Sequence, residues 1–230
     1  MQSRYMLKLR AKQILVSVKP SPLFAGMMLT AISFLVYIFQ YSGSGNTYAE
    51  LINSGVRDIT KLSEALVSDL TGNTGALVLR LVFSLLNTYI SFGLVYYSFR
   101  LSSGETAVPL QEMFPPVLSF LKFFLLTIIT SIVAAIGMLF FIVPGIILAL
   151  CYSQAKYIML DHPEMSVIQC MTASRKLMRG HLGEYFVLVL SFIGWNILTS
   201  ISVITGIWTY PYTGITMALY YRAVSTEITV

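Results

Sequence analysis

The best candidates for catalytic residues are the serine and lysine of two short Ser-x-x-Lys patterns. Ser119 stands three residues before Lys122, and Ser153 stands three residues before Lys156. In some hydrolases a lysine at this spacing activates the serine as a nucleophile. Both lysines, however, fall near the ends of apolar runs, where a long side chain extends toward water. The sequence offers no third catalytic group or oxyanion donor, so we expect no enzyme activity.

The sequence offers little that could hold a metal or a cofactor. His162 and His181 have no cysteine or carboxylate cluster at ligand spacing, and no HExxH motif is present. We expect Cys151 and Cys170 on the reducing side of a membrane, where no disulfide forms. Walker and GxGxxG loops are absent as well. The sequence therefore predicts no cofactor and no nucleotide.

The composition is typical of a membrane protein. Of 230 residues, 56% are hydrophobic and only 11% are charged, against roughly 25% charged residues in soluble proteins. The mean hydropathy is +0.76, and the apolar residues form long runs. These values exclude a soluble globular enzyme, a disordered chain and a disulfide scaffold. The net charge of +5 is local and not spread over one exposed face, so we expect no nucleic-acid partner.

The apolar runs predict an all-α, polytopic bundle of six transmembrane helices, because about 20 helical residues cross a bilayer. The predicted spans cover residues 23–41, 76–99, 118–140, 142–159, 185–204 and 206–223. Pro144 and Gly145 predict the break between the third and fourth spans, since proline lacks a backbone donor. Pro211 predicts a second helix break, in the last span. Either a kinked helix or a re-entrant stretch fits the residues around it.

Three segments are predicted outside the bilayer. Residues 1–22 form a basic amphipathic segment, and residues 42–75 form an extracytoplasmic loop that begins with a Ser-Gly linker and continues as an amphipathic helix. Residues 161–184 are expected to form an interfacial helix, for which Asp161 and Glu164 have capping-box spacing. An interfacial helix with cations near its end could contact anionic headgroups. The candidate headgroup contacts are Arg175, Lys176 and Arg179. An ordinary loop helix packed under the bundle explains the same pattern, because basic residues are retained on the cytoplasmic side.

The placement of lysine and arginine predicts the orientation. Most of these residues precede the first span or lie at the ends of even-numbered spans. Positive residues near span ends stay in the cytoplasm, so we expect both termini to be cytoplasmic.

Equal spacings suggest an internal repeat. Gly137 precedes Ala149 by twelve residues, and Gly206 precedes Ala218 by the same number. Three parallel repeats of an amphipathic segment and a helical hairpin would produce this pattern. The preference of tyrosine for the membrane interface explains the neighbouring tyrosines equally well.

Two asparagines fall near the middle of predicted spans. Asn87 and Asn196, the latter beside Trp195, should face other helices because an amide is costly in lipid. Interhelical hydrogen bonds are the simpler interpretation, and a small polar site inside the bundle is the functional alternative.

The second half of the chain resembles a known family. It carries Ile142-Val143-Pro144-Gly145-Ile146-Ile147, Tyr157-Ile158-Met159-Leu160-Asp161, Ser174-Arg175-Lys176-Leu177-Met178-Arg179-Gly180-His181 and Leu190-Ser191-Phe192-Ile193-Gly194-Trp195. Over residues 142–222 the chain is similar to the bacterial integral membrane proteins called DUF975, and more distantly to the membrane domain of some glycerophosphodiester phosphodiesterases. The resemblance implies a multi-pass protein of the bacterial cytoplasmic membrane and supplies no reaction.

We therefore expect a non-enzymatic membrane protein that binds or organises lipid or an amphipathic peptide. The expected partners are membrane lipids, anionic ones among them, and a peptide or another membrane protein. A small transporter or channel is the alternative, for which the asparagines and Pro211 are the only signals.

Overall fold

The computed structural model of the protein describes residues 4–18, 21–53, 74–105, 108–109 and 114–228, and their regular secondary structure is helical. In chain order the helices are α1 Arg4–Ser17, α2 Pro22–Asn53, α3 Thr74–Ser102, α4 Val117–Phe140, α5 Ile142–Tyr152, α6 Ala155–Asp161, α7 Val167–Leu177, α8 Leu182–Leu190, α9 Ile193–Ile201 and α10 Gly206–Ile228. A short 3-10 turn, Val203–Thr205, precedes α10.

Four helical stretches of the described residues are long and apolar enough to cross a membrane. They are Leu81–Ser102, Val117–Phe140, Ile142–Asp161 and Leu182–Ile201. Most of their residues are not buried inside the protein, as expected for surfaces that face lipid. The helices indicate a membrane protein. The full set of six predicted spans is not confirmed, because the predicted spans 23–41 and 206–223 are not among these four.

Helix α10 is the centre of the fold. It packs against α1, α2 and α3, and its residues from Thr209 to Ser225 are all buried or half-buried. The fully buried ones include Ile215, Thr216, Ala218 and Val224. A helix that contacts mainly protein does not need a uniformly apolar surface, which explains its many tyrosines and threonines. Helix α10 packs far more with α2 and α3 than with α9, so the three-hairpin repeat is not confirmed either.

Helix α10 continues through Pro211, so an interrupted, re-entrant stretch at this residue is wrong, whereas the kinked helix, the other predicted alternative, is not contradicted. Proline removes one helical hydrogen bond, and the carbonyl that loses its donor is that of Ile207. Gly26 of α2 packs at this point. A Cβ on Gly26 would overlap the Ile207 carbonyl oxygen and lie 2.9 Å from Cδ of Pro211. The close approach of α2 therefore covers the backbone that the proline leaves open.

Helices α4 and α5 form a tight hairpin. The chain turns at Phe141, which is extended (φ −158°, ψ 144°), and not at the predicted break, Pro144-Gly145, which lies in the first turn of α5. Proline is tolerated there because the first backbone N–H groups of a helix have no helical partner. Gly145 instead permits contact between the helices, since a Cβ on Gly137 would lie 2.9 Å from Cα of Gly145.

The predicted interfacial helix begins later than its sequence pattern suggested. Asp161 ends α6, and α7 begins after Ser166, whose hydroxyl accepts from the backbone N–H of Gln169 in a complete capping box. The rival pair, Asp161 and Glu164, has the same spacing and makes no such cap. Gly180 follows with φ +84°, a left-handed conformation that glycine adopts without strain.

The predicted Ser-Gly linker is also wrong, because α2 continues helically to Asn53. A glycine inside a helix costs about 1 kcal/mol, which weakens a helix but does not interrupt it. Most of the predicted outer helix falls in residues 54–73, which lie outside the described residues. The same holds for residues 1–3 and 19–20 of the basic N-terminal segment, whose helix α1 buries Leu7, Ala11 and Leu15.

A polar and aromatic cluster joins three helices at one end of the bundle, which we call the basic end because it also holds Lys122 and Lys156. Arg222 of α10 donates to the Ser103 hydroxyl at 2.6 Å and lies 3.7 Å from the Asp161 carboxylate. Its guanidinium lies over the Phe99 ring, 4.3 Å from the centroid. Tyr221 donates to the same carboxylate at 2.9 Å. These contacts fix the ends of α3, α6 and α10 relative to one another.

Candidate functional site

Helix α7 is fixed to the side of a candidate span. Its face formed by Cys170, Met171, Ser174 and Leu177 is buried. The Ser174 hydroxyl donates to the Cys151 carbonyl at 2.7 Å. Cys151 lies ten residues before the end of the candidate span Ile142–Asp161, roughly 15 Å along the helix. The C-terminal turn of α7 therefore lies beside the span and not beyond its end.

The three candidate headgroup contacts lie at this end of α7. Arg175, Lys176 and Arg179 are all exposed, whereas most apolar residues of the helix are buried or half-buried; Ile168, on an earlier turn, is 72% exposed. Among the described ion pairs, which join Arg100 to Glu105, His162 to Glu164 and Arg222 to Asp161, none involves these cations. Cations at a helix C-terminus are stabilised by the helix dipole. The arrangement is an exposed, uncompensated cluster of positive charge beside a membrane-crossing helix.

A groove runs along the α4–α5 hairpin and ends at Lys156. Its cavity volume is about 340 Å³. From α4 it is lined by one stripe of residues at helical spacing, which includes Phe123, Thr127, Ser131 and Ala134; α5 and α6 contribute Ala149, Tyr152 and Lys156. Small and hydroxyl side chains on both walls leave the space between the helices open.

Among the described residues that line the groove, Lys156 is the only charged one. Its Nζ lies over the Tyr157 ring, 5.1 Å from the centroid. Within the described part of the chain, no carboxylate lies within ion-pair distance of this ammonium. A charge inside a candidate span is costly unless it reaches water or a counter-charge.

Among the described hydrogen bonds, none joins the serine to the lysine in either Ser-x-x-Lys pair. The Ser153 hydroxyl donates to the Leu150 carbonyl at 2.7 Å and accepts from the Gln154 amide, so its proton is not directed at Lys156. Ser119 and Lys122 line a second cavity, of about 390 Å³, where Lys122 donates to the Pro163 carbonyl at 2.8 Å. Both lysines instead provide positive charge at the basic end.

The predicted intrabundle polar site is not brought together. Ser33 of α2 donates to the Asn87 carbonyl oxygen at 3.3 Å, which is the interhelical hydrogen bond of the simpler interpretation. Asn196 is exposed on α9, and Trp195 is 42% exposed, with its ring 6.5 Å from that of Tyr212. Helix α9 buries none of its residues, so the side-chain amide of Asn196 faces away from the bundle.

Metal-ligating groups and thiols give no further site in the described ranges. No group of three His, Cys, Asp or Glu side chains there could hold a metal ion. Cys151 and Cys170 are both free. Burial raises the pKa of the Cys170 thiol, with smaller opposing influences from Lys122 and the backbone and a small further rise from Glu164. A buried thiol of this kind is unreactive at neutral pH.

Sequence reasoning missed the groove and the side-by-side packing of α7. The groove has a signal in hindsight, because Thr127, Ser131 and Ala134 recur on one face of an otherwise bulky helix. The Ser174 hydrogen bond has no such signal, since it depends on how two helices pack.

Comparison with known proteins finds a family model that matches part of the second half of the chain. Residues 132–227 match the family model described as Protein of unknown function (DUF975). This confirms the DUF975 resemblance and places α5 to α8, the α7 cations and Lys156 inside the matched region. No curated protein and no solved structure matches the chain. The more distant similarity to the membrane domain of glycerophosphodiester phosphodiesterases is therefore without support.

Proposed function

We propose that this protein is a non-enzymatic integral membrane protein that binds anionic phospholipid headgroups through the C-terminal end of α7. The observation that carries the proposal is the position of Arg175, Lys176 and Arg179. They are exposed and have no described acidic partner, while Ser174 holds their helix beside a candidate span. With the predicted orientation, the long side chains of these cations start beside Cys151 and extend toward the cytoplasmic headgroups at the end of the span.

The expected strength of this interaction follows from the number of cations. A lysine or arginine near an anionic membrane surface contributes about 1 kcal/mol, so three contribute up to about 3 kcal/mol at low salt. The attraction should weaken as salt is added, because the Debye length falls from about 30 Å at 0.01 M to about 10 Å at 0.1 M. A lipid suits the site better than an amphipathic peptide, because the protein already covers most of the apolar surface of α7 and leaves only Ile168 strongly exposed.

Spin-labelled lipids provide the test. The protein is reconstituted in phosphatidylcholine vesicles, and electron paramagnetic resonance measures the bound fraction of spin-labelled phosphatidylglycerol relative to spin-labelled phosphatidylcholine. We expect a clear preference for the anionic lipid in the wild type. Neutralising the cluster (Arg175→Gln, Lys176→Gln and Arg179→Gln together) should remove most of that preference.

A matched control keeps the charge and changes the side chains. Arg175→Lys with Arg179→Lys should retain the preference, since attraction to a surface depends on charge more than on geometry. Equal selectivity of the neutralised variant and the wild type would refute the proposal. The transporter alternative gains no support from Asn87, which pairs with Ser33, or from Asn196, which is exposed.

A further inference from the structure

We infer that the groove along the α4–α5 hairpin binds a single anionic phospholipid, with its phosphate at Lys156 and one acyl chain between the helices. This inference shares with the proposed function the anionic lipid, but it concerns a separate set of residues. The α7 cations would act on lipids at the surface in general, whereas the groove would retain one molecule.

The hairpin geometry defines where the groove closes. Helices α4 and α5 touch at Gly137 and Gly145 near the hairpin tip. The groove occupies the stretch between that contact and the basic end, where Ala134 and Ala149 line it from the two helices. It is therefore closed near the hairpin tip and carries a cation near the other end.

The direction of the groove matches that of a lipid in the leaflet at the basic end. Lys156 lies five residues before the end of its candidate span, and Phe123 lies six residues after the start of α4. From Phe123 to Ala134 the wall of α4 rises by eleven residues, about 16 Å. A phosphate at Lys156 would thus lie near the membrane surface, and its acyl chain would extend into the hydrocarbon.

The walls can accept an acyl chain although they carry hydroxyl groups. The Thr127 hydroxyl donates to the Phe123 carbonyl at 2.9 Å, and the Thr130 hydroxyl donates to the Leu126 carbonyl at 2.8 Å. Because these two donors are satisfied within the helix, covering them with hydrocarbon leaves neither of them unpaired. The methyl groups of both threonines remain available for packing.

The charge of Lys156 selects the class of lipid. An ammonium without a carboxylate partner inside a span is stabilised by an anion, and a phosphate supplies the charge and several acceptor oxygens. A zwitterionic headgroup would also bring its own cation to the site. A soluble phosphate would satisfy the ammonium but would leave the apolar groove empty, so the groove favours a lipid as the source of the phosphate.

Native mass spectrometry of the whole protein tests the assignment. The protein is purified in mild detergent from vesicles that contain equal amounts of phosphatidylglycerol and phosphatidylcholine, and the retained lipid is identified and counted. We expect one retained phosphatidylglycerol in the wild type. Lys156→Gln should weaken its retention by about tenfold or more, the usual effect of losing a charge-assisted hydrogen bond. Lys156→Arg should retain the lipid.

Two further variants separate the cation from the groove. Lys122→Gln removes the other lysine of the hairpin, which donates to Pro163 and does not line the groove, and it should retain the lipid. Ala149→Phe fills the groove without touching Lys156 and should lose the lipid. Each variant must elute as the wild type does in size-exclusion chromatography, which confirms that it is folded.

The outcomes distinguish the groove from the surface cluster. Neutralising the three α7 cations should leave the single retained lipid in place, so loss of surface selectivity alone would not affect this inference. Undiminished retention in Lys156→Gln or in Ala149→Phe would overturn it, as would equal retention of phosphatidylcholine. Displacement of the lipid by 10 mM inorganic phosphate, a level about tenfold above a millimolar Kd, would show that the site recognises free phosphate and would overturn it too.

Discussion

The contact between Gly137 and Gly145 should make the α4–α5 hairpin intolerant of even one added methyl group. A Cβ at position 145 would lie 2.6 Å from the backbone nitrogen of Met138 and 2.8 Å from its Cα. Its contact with Cγ of Met138 is closer still, but that side chain can move. The two backbone atoms can move only with α4 itself, so Gly145→Ala must push the helices apart.

The size of the effect follows from this overlap. Overpacking that forces backbone shifts costs about 1–3 kcal/mol, and we expect about 2 kcal/mol because two backbone atoms are involved. For a chain of this length, 1 kcal/mol shifts the unfolding midpoint by about 2–4 °C. Gly145→Ala should therefore lower the midpoint by about 4–8 °C.

Thermal unfolding in detergent, followed by helical circular dichroism at one fixed scan rate, measures the shift. Gly194→Ala is the matched control, because a Cβ there meets no atom within 4 Å; its midpoint should equal or exceed that of the wild type, since a glycine inside a helix costs up to about 1 kcal/mol relative to alanine. If Gly145→Ala and Gly194→Ala unfold at the same temperature, the two helices do not touch as described and the groove loses its closed end.

Three other predictions concern the basic end and α7. Arg222→Gln should destabilise the protein by about 2 kcal/mol in thermal unfolding, because the partly buried Asp161 carboxylate loses its cation and the Phe99 ring and Ser103 hydroxyl lose their contacts with the guanidinium; a loss below about 0.5 kcal/mol, the usual effect of a surface substitution, would contradict the cluster. Ser174→Ala should reduce the preference for spin-labelled phosphatidylglycerol because α7 loses its hydrogen bond to the span. Maleimide labelling of Cys170 should be slow at neutral pH and should rise only at a higher pH than for an unfolded cysteine, since burial raises its pKa; rapid labelling near pH 7 would show that α7 is not packed.

The raised pKa of Cys170 also fixes the sign of one pH effect on stability. The unfolded thiol loses its proton first as the pH rises, while the folded thiol keeps its proton until the pH passes the raised value. The contribution to stability is therefore present below the ordinary thiol pKa and falls as the pH rises above it.

The sequence predicted those features that depend on composition and local pattern. The length of the apolar run predicted that it divides into two spans, because a run of that length is too long for one crossing of a bilayer, although the chain turns at Phe141 and not at Pro144-Gly145. The cations at the end of α7 were identified because charge near span ends follows a general rule. The resemblance to DUF975 rests on local sequence motifs, which can be recognised without knowledge of how the helices pack.

Features that depend on packing could not be predicted in the same way. The local preferences of proline and glycine predict helix breaks at Pro144, Gly145 and Pro211, yet tertiary contacts decide the roles of these residues. Pro144 lies where its missing donor has no cost, Gly145 serves the contact between helices, and Pro211 is covered by Gly26. Asn87 and Asn196 lie at similar predicted depths. Among the described hydrogen bonds, however, only the Asn87 side chain is bonded to another helix, and no periodicity in the sequence reveals this difference.

Photocrosslinking with an anionic lipid is the most direct test of the central claim, that anionic phospholipid binds at the basic end. The wild-type protein is reconstituted with phosphatidylglycerol that carries a diazirine on its headgroup, irradiated, digested and mapped by mass spectrometry. We expect crosslinks concentrated on the C-terminal turn of α7, near Arg175 and Arg179, and around Lys156. Crosslinks spread evenly along the exposed helices, or the same pattern with a phosphatidylcholine probe, would contradict it.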